Sequence, residues 1–179
     1  GGDFYSSEQS VTLDKATNAR IVFENKQGKQ TVLKSDLPLQ EGEVLDGMFM
    51  SKKALVKFFE DAIADCEKTG VMFSLHVKAT MMKISHPIVF GHAVKVFYKE
   101  LFDKYGDLFK EIGVNPNNGL SSVIEKIKQL PESKQEQIQE DLHACYEHRP
   151  EIAMVDSVNG ITTLHGPSDV IVDASMPAM

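Results

Sequence analysis

The 179 residues carry 19 Lys and Arg against 26 Asp and Glu, a formal charge of −7 with a sequence pI near 5.4. A nucleic-acid-binding surface needs a basic face and a high pI, so that class is excluded, and a 42% hydrophobic fraction is too high for a disordered chain. No apolar run reaches the ~20 residues of a membrane span, and Cys66 and Cys145 are too few for a disulfide framework. With no N-x-[ST] acceptor either, the expected setting is cytoplasmic. The length suits one domain. Its ends, Gly1-Gly2 without a methionine and Pro177-Ala178-Met179 without a polar tail, suggest a piece of something longer.

The first fifty residues read as strands. Ala19–Phe23 and Thr31–Leu33 flank a glycine-containing turn, Asn25 to Lys29, and Pro38 and Gly42 are expected to close the pair. Glu43 to Met50 is a third strand. Ser51 to Glu67 is a helix, with Leu55, Phe58, Phe59, Ala62, Ile63 and Cys66 on one stripe, Ser51 able to cap it and Gly70 at its left-handed end. Val71 to Thr80 alternates as a strand, separating Val71, Phe73, Leu75, Val77 and Ala79 from Met72, Ser74, His76, Lys78 and Thr80. A long helix runs from Pro87 towards Ile112, with Gly106 as its expected bend. Asn115 to Gly119 is a turn, and Ser121–Leu130 and Lys134–Glu147 are helices, the second with Ser133 and Glu136 spaced as a capping box. Ile152–Val155, Ile161–Leu164 and Val170–Val172 are strands. Strands alternating with helices define an α/β or α+β layered domain.

Nucleotide-binding glycine loops, C-x-x-C, H-E-x-x-H and G-x-S-x-G are all absent. The two cysteines fall on apolar stripes, as small hydrophobes do. Lys78 is either an exposed cation of a solvated sheet face or a cleft lysine able to pair with an anion and move a proton. Asp169 and Asp173 bracket a short apolar strand, where they cap turns and helices or offer hard oxygen ligands to Mg²⁺ or Mn²⁺. Two such carboxylates cannot enclose an octahedral ion, so a metal site would need ligands from other chain. The histidines show no metal spacing; His165 precedes the aspartates in a loop.

Several stretches together resemble the monomeric-type NADP-dependent isocitrate dehydrogenases of bacteria. They are Asp3-Phe4-Tyr5, Met50-Ser51-Lys52-Lys53-Ala54-Leu55, Val77-Lys78-Ala79-Thr80-Met81-Met82-Lys83, Pro87-Ile88-Val89-Phe90-Gly91, Ala153-Met154-Val155 and the run from Pro167 to Met179. The resemblance extends over essentially the whole chain and implies an isocitrate/isopropylmalate dehydrogenase-like layered fold, here a single partial domain, residues 1–179, from the larger insert domain of a longer enzyme. It implies oxidative decarboxylation of isocitrate to 2-oxoglutarate with NADP and Mg²⁺ or Mn²⁺, Lys78 as the catalytic lysine and Asp173 as a metal ligand. It implies that the remainder of the parent chain carries the NADP site and the other substrate and metal residues. The isolated chain is then expected to be inactive. The alternative is an autonomously folding, non-catalytic module that self-associates through its cut edges.

Overall fold

The computed structural model of the chain describes residues 1–75, 77 and 82–152. These fall into two compact units, Gly1–Ser51 and a second beginning at Lys52. Helix and strand are mixed as expected for an α/β fragment, with small sheets.

The first unit holds two antiparallel ribbons. A one-turn helix, α1 (Phe4–Ser7), precedes β1 (Gln9–Thr12), which pairs with β4 (Val44–Gly47) in the register Gln9↔Gly47 to Thr12↔Val44. Neither α1 nor β1 is expected from the apolar pattern, although Asp3 and Ser6 carry the signal. The Ser6 amide donates to the Asp3 carboxylate at 2.7 Å, and the Asp3 amide donates to the Ser6 hydroxyl oxygen at 3.3 Å, closing a capping box. β2 (Thr17–Glu24) and β3 (Gln30–Leu39) form the expected hairpin. Its turn is set by Asn25, whose Oδ1 accepts from the Gln27 and Lys29 amides at 2.9 and 3.0 Å, while Gly28 takes φ +77°. Pro38 does not end the hairpin; it lies within β3 opposite Asn18. A two-stranded ribbon has only edge strands, so a proline lacking its N–H can sit in one without breaking a ladder. The unit is tied at its termini by the Ser51 amide, which donates to the Gly2 carbonyl (2.7 Å), and by Ser7, whose hydroxyl donates to the Phe49 carbonyl (2.7 Å).

The second unit is helical. α2 (Lys52–Thr69) buries Phe59 and Ile63, with Leu55, Val56, Ala62 and Cys66 packed beside them. Phe58, expected on that stripe, is 63% exposed, because its azimuth lies off the buried arc centred on Phe59. Gly70 ends the helix at φ +69°, and the Val71 amide donates back to the Cys66 carbonyl (3.1 Å), the long bond of a Schellman cap.

The long helix expected from Pro87 is two helices, α3 (Ser85–Phe97) and α4 (Lys99–Glu111), and the break falls at Tyr98, not at Gly106. Tyr98 leaves helical geometry (φ −102°, ψ 38°) and is completely buried, its phenol 3.1 Å from that of Tyr146. Burying so large an aromatic together with the apolar faces on either side of it requires the axis to turn there. Gly106 sits inside α4, where a glycine costs ~1 kcal/mol against alanine but does not force a break.

A 3₁₀ turn (Pro116–Asn118) leads into α5 (Gly119–Ile127), which starts two residues earlier than expected, and α6 (Glu132–Glu147) completes the unit. Ser133 does not cap α6. Pro131 stands at the cap, its carbonyl accepting from the Lys134 and Gln135 amides at 2.8 and 3.1 Å, so Ser133 already lies in the first turn. Tyr98, Phe97, Phe59, Ile63, Leu101 and Ile138 are the heart of the core.

Candidate functional site

Lys78 and Asp173, the two residues singled out for chemistry, lie outside the described residues, as do His76, Thr80, His165 and Asp169. The strands expected at Ile161–Leu164 and Val170–Val172, and the part of Ile152–Val155 beyond Ile152, lie outside them as well. The structure does describe the two segments that lead towards those residues.

The first is the chain from Val71 to Leu75, with Val77. Phe73 and Val77 are buried and Leu75 half-buried, which bears out the apolar face read from the alternation, except that Val71 at its start is 58% exposed. Among the described residues this segment forms a single parallel bridge, Phe73↔Ile152, rather than a strand with a ladder. The Phe73 ring stacks on Phe97 of α3, with centroids 6.4 Å apart and planes inclined by 21°. Its amide donates to the Glu151 carbonyl at 2.7 Å. Lys78 follows Val77, which is 7% exposed, directly in the sequence.

The second segment is the end of α6 and the residues after it. Arg149, 19% exposed, donates from Nη2 to Glu100 Oε1 on α4 at 2.7 Å. Burial works against ionising Glu100, but the Arg149 hydrogen bond and charge outweigh it and leave the carboxyl below its usual value. Pro150 is buried and Ile152 is 7% exposed, so the chain leaves α6 held at three points, Arg149, Pro150 and Ile152.

Beside Arg149 lies a cleft of about 170 Å³ lined by Glu100, Lys104, Asp141, Cys145, His148 and Arg149. It is too small for the ~300–1,000 Å³ of an organic-ligand site. Its charges are also matched internally. Lys104 pairs with Asp141 at 2.7 Å, and the buried Tyr105 hydroxyl donates to the same carboxylate. Hydrogen bonds from Lys104 and Tyr105 hold the Asp141 carboxyl below the usual range. The Cys145 thiol is pushed up, first by burial and then by the Glu100 charge, the reverse of what a nucleophilic thiol requires. No local sequence pattern signals these pairs, since Glu100 and Arg149 lie 49 positions apart.

Among the described residues no group of three or more His, Cys, Asp and Glu side chains is placed to hold a metal ion. No helix among them is long and apolar enough to cross a membrane. The described geometry here is thus a packed contact of Phe73 with Ile152 and Phe97, and the residues expected to carry chemistry lie outside the described residues.

A sequence model of monomeric isocitrate dehydrogenase matches residues 1–179. The chain belongs to the monomeric isocitrate dehydrogenase family. It is 62% identical over 178 residues to isocitrate dehydrogenase (NADP) 2 of Mycobacterium tuberculosis, and 60% identical over the same length to isocitrate dehydrogenase (NADP) 2 of Psychrobacter sp.. Identity to isocitrate dehydrogenase (NADP) of Azotobacter vinelandii is 49% over 178 residues. In each case the match covers 99% of this chain and 24% of the relative, so the chain spans about a quarter of the length of the curated relatives it matches.

Proposed function

We propose that this chain is one segment of an NADP-dependent isocitrate dehydrogenase, a cytoplasmic enzyme that converts isocitrate to 2-oxoglutarate and carbon dioxide while reducing NADP⁺. The observation that carries the reading is the family match along all 179 residues, at 62% identity to an NADP enzyme. In this reading Lys78 is the catalytic lysine: it hydrogen-bonds the substrate hydroxyl and takes its proton as hydride leaves the same carbon for NADP⁺. Asp173 supplies one carboxylate to a divalent cation, Mg²⁺ or Mn²⁺, whose bound charge stabilises negative charge developing on substrate oxygen. In this reading the other ligands, like the NADP site, belong to the remainder of the parent chain, because one or two carboxylates cannot enclose an octahedral ion. Two unpaired thiols suit a reducing compartment.

The test is NADPH formation from isocitrate with Mn²⁺. The full-length parent turns over and its Lys78→Met variant, folded by circular dichroism, loses at least ~10²-fold in kcat, the lower end of a general acid–base contribution. The isolated 179 residues form no NADPH. Turnover by the isolated chain, or a Lys78→Met enzyme as fast as wild type, refutes the assignment. The second reading, a non-catalytic association module, draws on the exposed Phe23, Leu33 and Phe49 of the first unit. It requires concentration-dependent dimerisation in sedimentation and an indifferent Lys78.

A further inference from the structure

Leu39 is the single buried residue of the first unit, Gly1–Ser51, every residue of which is described. A two-stranded ribbon is marginally stable alone in water, and a sheet with an apolar face needs another element to bury it against. The β2–β3 hairpin has such a face. Phe23 is paired with Thr31, so Ile21, two residues before Phe23, and Leu33, two after Thr31, lie on one side of the ribbon. Ile21 is 49%, Phe23 56% and Leu33 66% exposed. Single exposed apolar residues are ordinary, whereas large ones gathered on one face mark a surface that something covers. Ile21 also lines a groove of about 420 Å³ shared by the two ribbons, together with Val11, Leu37 and Leu45. The apolar surface thus continues from the hairpin face into a concave seat. The charged residues of that groove are Arg20 and Asp46, of opposite sign, so it holds no net charge to select an ionic ligand.

We propose that the Ile21–Phe23–Leu33 face and the adjoining groove seat an apolar segment of the parent chain from outside residues 1–179, docked within the same molecule. The inference rests on the reading above that the chain is one segment of a longer enzyme. The match covers 24% of each relative, which leaves roughly three-quarters of the parent's length to supply the segment. The rival occupant is a second copy of the chain. The matching family model is that of a monomeric enzyme, which favours cover from within one molecule. A tethered segment also meets the groove at an effective concentration in the ~mM range, which a free second copy at ordinary protein concentrations does not reach.

The experiment uses the full-length parent with single cysteines introduced as Leu33→Cys on the hairpin face and Gln27→Cys at its exposed turn. Labelling by a maleimide is followed at each site by peptide mass. A docked face labels only when it opens, so Leu33→Cys is expected to react at least about tenfold more slowly than Gln27→Cys. That protection stays the same as the protein is diluted, and sedimentation shows a monomer throughout. Hydrogen exchange at the Val22 and Val32 amides gives a second readout. Phe23→Asp removes an anchor of the docked face and accelerates that exchange at least about tenfold, whereas replacing a solvent-facing ring leaves it unchanged. Should Phe23→Asp fail to fold, the Leu33→Cys labelling decides alone. Equal labelling at the two cysteines overturns the inference. Protection that is lost on dilution, in step with dissociation of a dimer, overturns it too and assigns the face to a second copy. NADPH formation from isocitrate by the unsubstituted parent keeps the two proposals apart. An active parent whose Leu33→Cys labels freely defeats this inference alone, and an inactive parent whose Leu33→Cys is protected defeats the enzymatic reading alone.

Discussion

Gly91, inside α3, faces the turn at Asn115–Asn118 so closely that a side chain has no room. A Cβ at that position would lie 1.9 Å from Asn117 Oδ1, 2.9 Å from its Cγ and 3.0 Å from its backbone nitrogen. Two opposing effects are at work in Gly91→Ala. Alanine gains up to ~1 kcal/mol over glycine in a helix interior, while forcing a methyl into a filled space typically costs ~1–3 kcal/mol. The side-chain overlap can be relieved by rotating Asn117, but the 3.0 Å approach to the backbone nitrogen cannot, so the turn itself must give. That turn is braced by the Asn115 side chain, which accepts from the Asn117 amide at 3.1 Å, and by Gly119 at φ +80°. Gly91→Ala should therefore be destabilising by about 1–2 kcal/mol net, a melting-temperature decrease of ~2–8 °C for a chain of this size. The assay is thermal and urea unfolding monitored by the helical circular dichroism signal. Asn117→Ala in the same background should restore part of the loss but not all, because the backbone contact persists. A Gly91→Ala chain as stable as wild type would show that helix propensity wins and that the turn moves freely, which would refute the close-packing argument.

Ile138, fully buried where α6 meets the core, should cost ~2–5 kcal/mol on truncation to alanine, measured by urea unfolding. Asp141 provides a pH signature. Its carboxyl is held below the ordinary value by Lys104 and Tyr105, so the stability it contributes is present above the unfolded-state value and is lost as pH falls through the folded one. The stability difference between wild type and Asp141→Asn should thus be constant near neutrality and shrink below about pH 4, as read by acid titration of the folded signal. Cys145, buried and with its thiol raised by desolvation, should react with a thiol reagent at about pH 8 far more slowly than the half-buried Cys66. Equal rates at the two thiols in the folded chain would contradict that burial.

The helices are legible in the sequence because their apolar residues recur with a period that only a helix can bury: the stripe through Leu55, Phe59, Ile63 and Cys66 announces α2, and Gly70 its end. The β2–β3 hairpin is legible for the same local reason, through the Asn25 turn. Local reasoning fails where tertiary packing competes with it. Phe58 belongs to the periodic pattern, yet its azimuth lies outside the buried arc. Gly106 is the better helix breaker, but Tyr98 is where the chain turns, because an aromatic ring has to reach the Tyr146 phenol 48 residues away. For the site, the motifs around Lys78 and Asp173 and the resemblance they carry are readable from residue identity alone, and the family match agrees with that resemblance.

The linear sequence, by itself, carried the family resemblance, and with it the expectation placed on Lys78 and Asp173, through residue identity, and the mixed helix–strand composition through local order and periodicity. Only the tertiary structure decided that Phe73 pairs with Ile152 and stacks on Phe97, and that Glu100 meets Arg149. Those contacts join positions tens of residues apart, and nothing in the spacing along a chain encodes which distant partners folding will bring into reach.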